Sequence, residues 1–149
     1  MASNVLEPNE RNGETIMSEL TEGVSWAAVF SGAVLSFILG WLWYSPKAFG
    51  PKWAKGHNIE MGTANDMPMV AMATQITGLF LMSWFVAVTA VSEALFTVIL
   101  ATVAFTVLAY SAGAFAKKPA AVRNIDAGYW LVSLIIMIIS NGVFRNLAA

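Results

Sequence analysis

The chain has 149 residues, 58% of them hydrophobic and only 11% charged, about half the charged share of an ordinary soluble domain. That composition belongs to the membrane class. Eight basic residues nearly balance nine acidic ones, there is no cysteine, and His57 is the single histidine; disulfides, thiol nucleophiles and thiolate metal sites are thereby excluded, and no nucleic-acid partner is expected.

The first 23 residues carry Glu7, Glu10, Glu14, Glu19 and Glu22 against Arg11 alone. This acidic opening has no basic n-region and no cleavage pattern, so it does not read as a signal peptide. It is expected to be disordered unless a partner holds it. Met17 stands before S-E-L-T-E-G-V-S-W and would also serve as a start.

The membrane domain is placed at residues 24–149. Residues 24–43 form an uncharged run of the roughly twenty residues that a helix needs to cross the hydrocarbon. From Pro68 to Phe115 the only charged residue is Glu93. That stretch is more than twice one span at about 1.5 Å per residue, so it must fold back on itself. A turn at Val91-Ser92-Glu93-Ala94 lets the carboxylate reach water and gives spans at 68–91 and 94–115. The fourth span is placed at 127–144, with Asn124 and Asp126 just ahead of it as candidate caps. The expected fold is an all-α bundle of four transmembrane helices.

Basic residues cluster in two loops, Lys47, Lys52 and Lys55 after the first span and Lys117, Lys118 and Arg123 after the third. The positive-inside rule makes both loops cytoplasmic and both termini extracytoplasmic. The same two regions echo one another 66 residues apart. Tyr44, Ser45, Ala48, Phe49 and Lys52 align with Tyr110, Ser111, Ala114, Phe115 and Lys118, and Asn58, Ile59 and Gly62 with Asn124, Ile125 and Gly128. The echo reads either as two tandem helical hairpins or as a coincidence at two membrane exits of similar composition.

Within the first span Ala28, Gly32, Ser36 and Gly40 recur every four residues. Small residues on one face let helix backbones approach closely in lipid, so this face should meet another helix, in the same bundle or in a second copy. Elsewhere in the spans the polar residues are Gln75, Tyr110, serines and threonines. None is charged at mid-membrane depth, where an ion-coupled carrier usually keeps its relay group.

The loop W-L-W-Y-S-P-K-A-F-G-P-K-W-A-K over 41–55 is the richest chemistry in the chain. Trp41, Trp43, Tyr44, Phe49 and Trp53 suit the interface, with Lys47, Lys52 and Lys55 reaching headgroups, as Lys117, Lys118 and Arg123 can from the other loop. The functional alternative to plain anchoring is a pocket for an anionic lipid phosphate. Ser45-Pro46 and Gly50-Pro51 read as two short helix starts. Catalytic groupings are poor: His57 stands alone, Glu60, Asp66 and Asp126 have no metal-ligand spacing, and Ser45 or Ser111 with His57 would be a speculative nucleophile and base.

Two pieces resemble a known family. W-Y-S-P-K-A-F-G-P-K-W looks like the W-Y-x-P-x-x-F-G-x-x-W signature of small bacterial membrane proteins in the domain-of-unknown-function 1761 family. K-K-P-A-A-V-R-N-I-D-A-G-Y-W-L-V-S-L is similar to its second motif. The matching residues are Trp43, Tyr44, Pro46, Phe49, Gly50, Trp53, Asp126, Ala127, Gly128 and Tyr129. The resemblance implies a four-helix domain of the bacterial inner membrane and carries no activity, and the acidic tail departs from its pattern.

The expected function is therefore that of a non-catalytic structural or accessory subunit, with membrane lipids, other membrane subunits or its own copies as partners and no cofactor. A small transporter or channel, and a lipid- or pigment-binding protein, are the alternatives.

Overall fold

A computed structural model describes residues 17–62 and 68–148. Among these residues every regular element is a helix, with α1 at Trp26–Trp43, α2 at Gly50–His57, α3 at Met69–Val91, α4 at Leu95–Phe115 and α5 at Ala120–Ala148. Four of them, all but α2, are long and apolar enough to cross a membrane. This is a multi-pass membrane protein. Only 17–33% of each span's most apolar window is buried within the chain, so most of the apolar surface faces outward, where hydrocarbon must cover it.

The helix ends follow local chemistry. Ser25 caps α1, its hydroxyl accepting from the Ala28 amide at 3.4 Å. Pro46 disfavours the helical conformation at the residue before it, and the chain turns at 44–49. Pro51 lies at the start of α2, and Asn58 ends it in the left-handed conformation, φ 55°. Glu93, exposed and at φ 54°, makes the turn between α3 and α4, and Lys117 at φ 57° follows α4. Ser45-Pro46 thus produces a turn, and only the Gly50-Pro51 start opens a helix.

The first three spans lie within two residues of their expected bounds. The fourth does not. Pro119 precedes α5, which begins at Ala120, about two turns before the apolar run. Those two turns bury Val122 and Ile125 and run against α2, so protein and not lipid covers them; hydropathy alone does not report this. Asn124 and Asp126 are consequently inside the helix and cap nothing.

α5 is the central helix. It packs on α1, α2, α3 and α4, while α1 also packs on α3 and α4 more lightly on α3. The core joins Leu79, Val86, Val98, Tyr129, Leu134 and Met137. The consecutive pairs α1 with α3 and α4 with α5 are both in contact, but the echoed segments differ in backbone. Tyr44 follows the end of α1 and Tyr110 is within α4; residues 58–62 are non-helical and 124–128 are helical.

The small-residue face of α1 is occupied inside the bundle. Ala28, Gly32 and Ser36 are buried. A Cβ on Gly32 would lie 2.5 Å from Ser83 Oγ and 3.4 Å from the Met137 backbone, and one on Gly40 would lie 3.2 Å from the Tyr129 ring. Ser83 donates to the Val29 carbonyl at 2.8 Å across the same contact.

At the opposite end, residues 17–21 form a helical turn. The Trp84 indole donates to the Leu20 carbonyl at 2.8 Å and packs on Trp26 with ring centroids 5.5 Å apart. The last part of the acidic tail is therefore held by the bundle itself, where the tail as a whole is expected to be largely disordered. The rest of that expectation concerns residues 1–16, outside the described residues.

Candidate functional site

The site is built where the loop after α1 folds back over α5. In the turn, the Phe49 amide donates to the Trp43 carbonyl at 3.0 Å and the Gly50 amide to the Ser45 carbonyl at 3.1 Å. The reversal is tight. A Cβ on Gly50 would sit 2.3 Å from the Tyr44 carbonyl oxygen and 2.6 Å from that of Ser45. The chain then runs as α2 across the first turns of α5, where a Cβ on Gly56 would lie 2.2 Å from Val122 Cγ2.

This path brings three aromatic donors onto α5. Tyr44 donates its hydroxyl to Asp126 Oδ1 at 2.9 Å, and the Trp53 indole N–H donates to the same oxygen at 2.9 Å. The Trp43 indole N–H reaches the Ile125 carbonyl at 3.1 Å. One carboxylate oxygen thus ties the end of α1 and the middle of α2 to α5. Burial pushes the Tyr44 hydroxyl above the usual phenol range, and the adjacent Asp126 charge adds to the effect. Tyr44 therefore remains the donor throughout the ordinary pH range.

The rings close around these bonds. Tyr44 meets Trp53 edge-on at 5.4 Å and Tyr129 at 5.6 Å, Trp43 packs on Phe49 at 4.7 Å, and His57 lies 4.2 Å from Trp53. Gly128 leaves room for Trp43, whose Cζ2 would be 3.1 Å from a Cβ there. Deeper in, Tyr129 donates to the Ser36 carbonyl at 3.1 Å and accepts from Gln75 Nε2 at 3.0 Å. The network so reaches α1, α2, α3 and α5.

A family model described as "Protein of unknown function (DUF1761)" matches residues 27–141, a range that contains both motifs and every residue of this network. The chain belongs to the DUF1761 family. No curated protein and no solved structure matches it. In this DUF1761 member the two motifs, 82 residues apart at Tyr44 and Asp126, are two sides of one contact.

That geometry gives three aromatics a role beyond the one expected. Trp43, Tyr44 and Trp53 are half-buried and turn their polar atoms onto α5, so they tie helices together. Trp41 is 72% exposed and does face outward. Successive residues of a helix are about 100° apart, so Trp41 and Trp43 lie on nearly opposite sides of α1. Phe49 is exposed at its edge, Lys47, Lys52, Lys55 and Lys117 are exposed, and Lys118 is half-buried.

Arg123 is half-buried beside α4, its guanidinium carbon 4.5 Å from the centre of the Tyr110 ring and its aliphatic stem over Gly113. Both basic loops therefore come to the same end of the bundle. An interhelical hydrogen bond is the role expected of Gln75, and Tyr129 is its partner; sequence reasoning missed the Arg145 guanidinium on the Ala90 carbonyl and the acceptor role of Asp126. The available signal for the last was the i, i+3 spacing of Asp126 and Tyr129, which puts both on one face of α5. Among the described residues no three His, Cys, Asp or Glu side chains are grouped to hold a metal ion.

Proposed function

We propose that this protein is a non-catalytic accessory or scaffolding subunit of the membrane, associating with its own copies or with a larger membrane complex. The observation that carries the reading is the use of the motif residues. Asp126, Tyr44, Trp53 and Trp43 tie helices to one another, in the arrangement of a clamp and not of a nucleophile with its base. Other polar side chains have similar structural bonds. Ser83 and Tyr129 bridge helices, while Thr74, Thr77, Thr89 and Thr106 donate to carbonyls four residues earlier in their own helices.

These contacts also favour a scaffold over a transporter, because Gln75, a polar side chain that could otherwise face an aqueous path, is bonded to Tyr129 between helices. The α1 small-residue face, expected to be one docking surface, is occupied by α3 and α5. Association is therefore assigned to α4, where Phe96, Leu100, Leu108 and Phe115 face outward, and to the acidic tail. Extraction of the full chain into native-lipid nanodiscs, followed by mass photometry, should give a multiple of the chain mass or a stable hetero-complex. A lone monomer with no co-purifying protein would sink the reading.

We further place the protein in the bacterial inner membrane with the two basic loops cytoplasmic and both termini outside. Alkaline phosphatase fused after Ala149 should be active, and a fluorescent reporter that matures only in the cytoplasm should stay dark; the reverse pattern refutes this orientation.

A further inference from the structure

A groove of about 490 Å³ opens on the outer side of the bundle at its basic end, lined by Ile38, Trp41, Leu42, Ser45, Pro46 and Lys47. It is separate from the Asp126 network, since Trp41 faces away from α5 while Trp43 faces it. Its apolar wall is bare: Ile38, Trp41 and Leu42 are 56%, 72% and 62% exposed. Ile38 and Leu42 are four residues apart and so stack along one face of α1. The span ends at Trp43, so Ile38 lies inside it, Trp41 and Leu42 lie near its end, and Lys47 lies beyond it.

We propose that this groove binds one anionic phospholipid. An acyl chain lies along Ile38 and Leu42, the Trp41 indole sits at the level of the glycerol esters, and the Lys47 ammonium meets the phosphate. Ser45 and Pro46 close the polar end of the groove beside Lys47. An apolar wall that ends in an exposed cation, across a membrane boundary, complements an anionic lipid. A partner's transmembrane helix would match the wall and leave the Lys47 ammonium without a counter-charge.

Native mass spectrometry of the full chain from nanodiscs of phosphatidylcholine with phosphatidylglycerol tests the assignment. One phosphatidylglycerol should be retained in preference to phosphatidylcholine. Lys47→Gln should weaken that retention about fivefold, and Leu42→Trp, which fills the groove from an exposed position, should abolish it with every lysine present. Circular dichroism should show both variants folded. Lys117→Gln with Lys118→Gln removes twice the charge from the other loop and should leave the bound lipid in place.

Equal losses in the two lysine variants would mean diffuse surface attraction and overturn the proposal, as would undiminished retention in both Lys47→Gln and Leu42→Trp. Displacement of the lipid by inorganic phosphate would show that the anion alone suffices and overturn the assignment to a lipid. A photo-crosslinking residue at position 42 should capture lipid; capture of protein in its place would assign the groove to a partner helix and end the proposal.

Discussion

Asp126→Ala is expected to destabilise the bundle by about 3 kcal/mol, because it strands two half-buried donors at once and each loses a charge-assisted bond. Both Tyr44 and Trp53 reach the same oxygen, Oδ1, at 2.9 Å, and the packing that holds their rings on Tyr129 and His57 leaves them little freedom to find another acceptor. Asp126→Asn keeps an acceptor oxygen in place without the charge, and should lose roughly a third as much. Reversible unfolding in mixed dodecylmaltoside and SDS micelles, followed by tryptophan fluorescence, gives both values. A double-mutant cycle with Tyr44→Phe should return a coupling of at least about 1 kcal/mol. A change below about 0.5 kcal/mol for Asp126→Ala, the level of an ordinary surface substitution, would show that the carboxylate does not organise the site.

The same carboxylate marks the division between what the sequence made legible and what it did not. Uncharged runs locate the spans because the bilayer sets a length that composition must satisfy, and Glu93 can be placed in a turn for the same reason. α5 escapes that logic, since its first two turns carry Arg123, Asn124 and Asp126 while Val122 and Ile125 pack on protein. The interior role of Trp43, Tyr44 and Trp53 was hidden by a chemical degeneracy. A ring with one polar atom suits a membrane interface and a buried acceptor equally well, and residue type cannot choose between them. Angular position could have separated Trp41 from Trp43. Only the fold of α2 over α5, however, supplies Trp53 with Asp126.

That fold depends on Gly50, and Gly50→Ala is expected to cost about 3 kcal/mol. The added methyl would lie 2.3 Å and 2.6 Å from two carbonyl oxygens, which belong to backbone and cannot rotate aside as the nearby Met61 side chain can. Gly50 has no unusual φ among the backbone conformations of the described residues, so its requirement is space and not a left-handed conformation. Relief must come from opening the 44–50 turn, which lifts α2 from α5 and draws Trp53 away from Asp126. The loss should therefore overlap with that of Trp53→Phe, which removes the same indole bond directly. In the micelle unfolding assay the double variant should be more stable than the sum of the two single losses implies, by about 1 kcal/mol. Additivity to within about 0.3 kcal/mol would mean that strain at Gly50 is absorbed inside the turn, and that α2 is held on α5 independently of it. Sub-additivity would make the two-proline loop the part that sets the first motif against the second, with the Asp126 bonds fastening a geometry that the turn has already imposed.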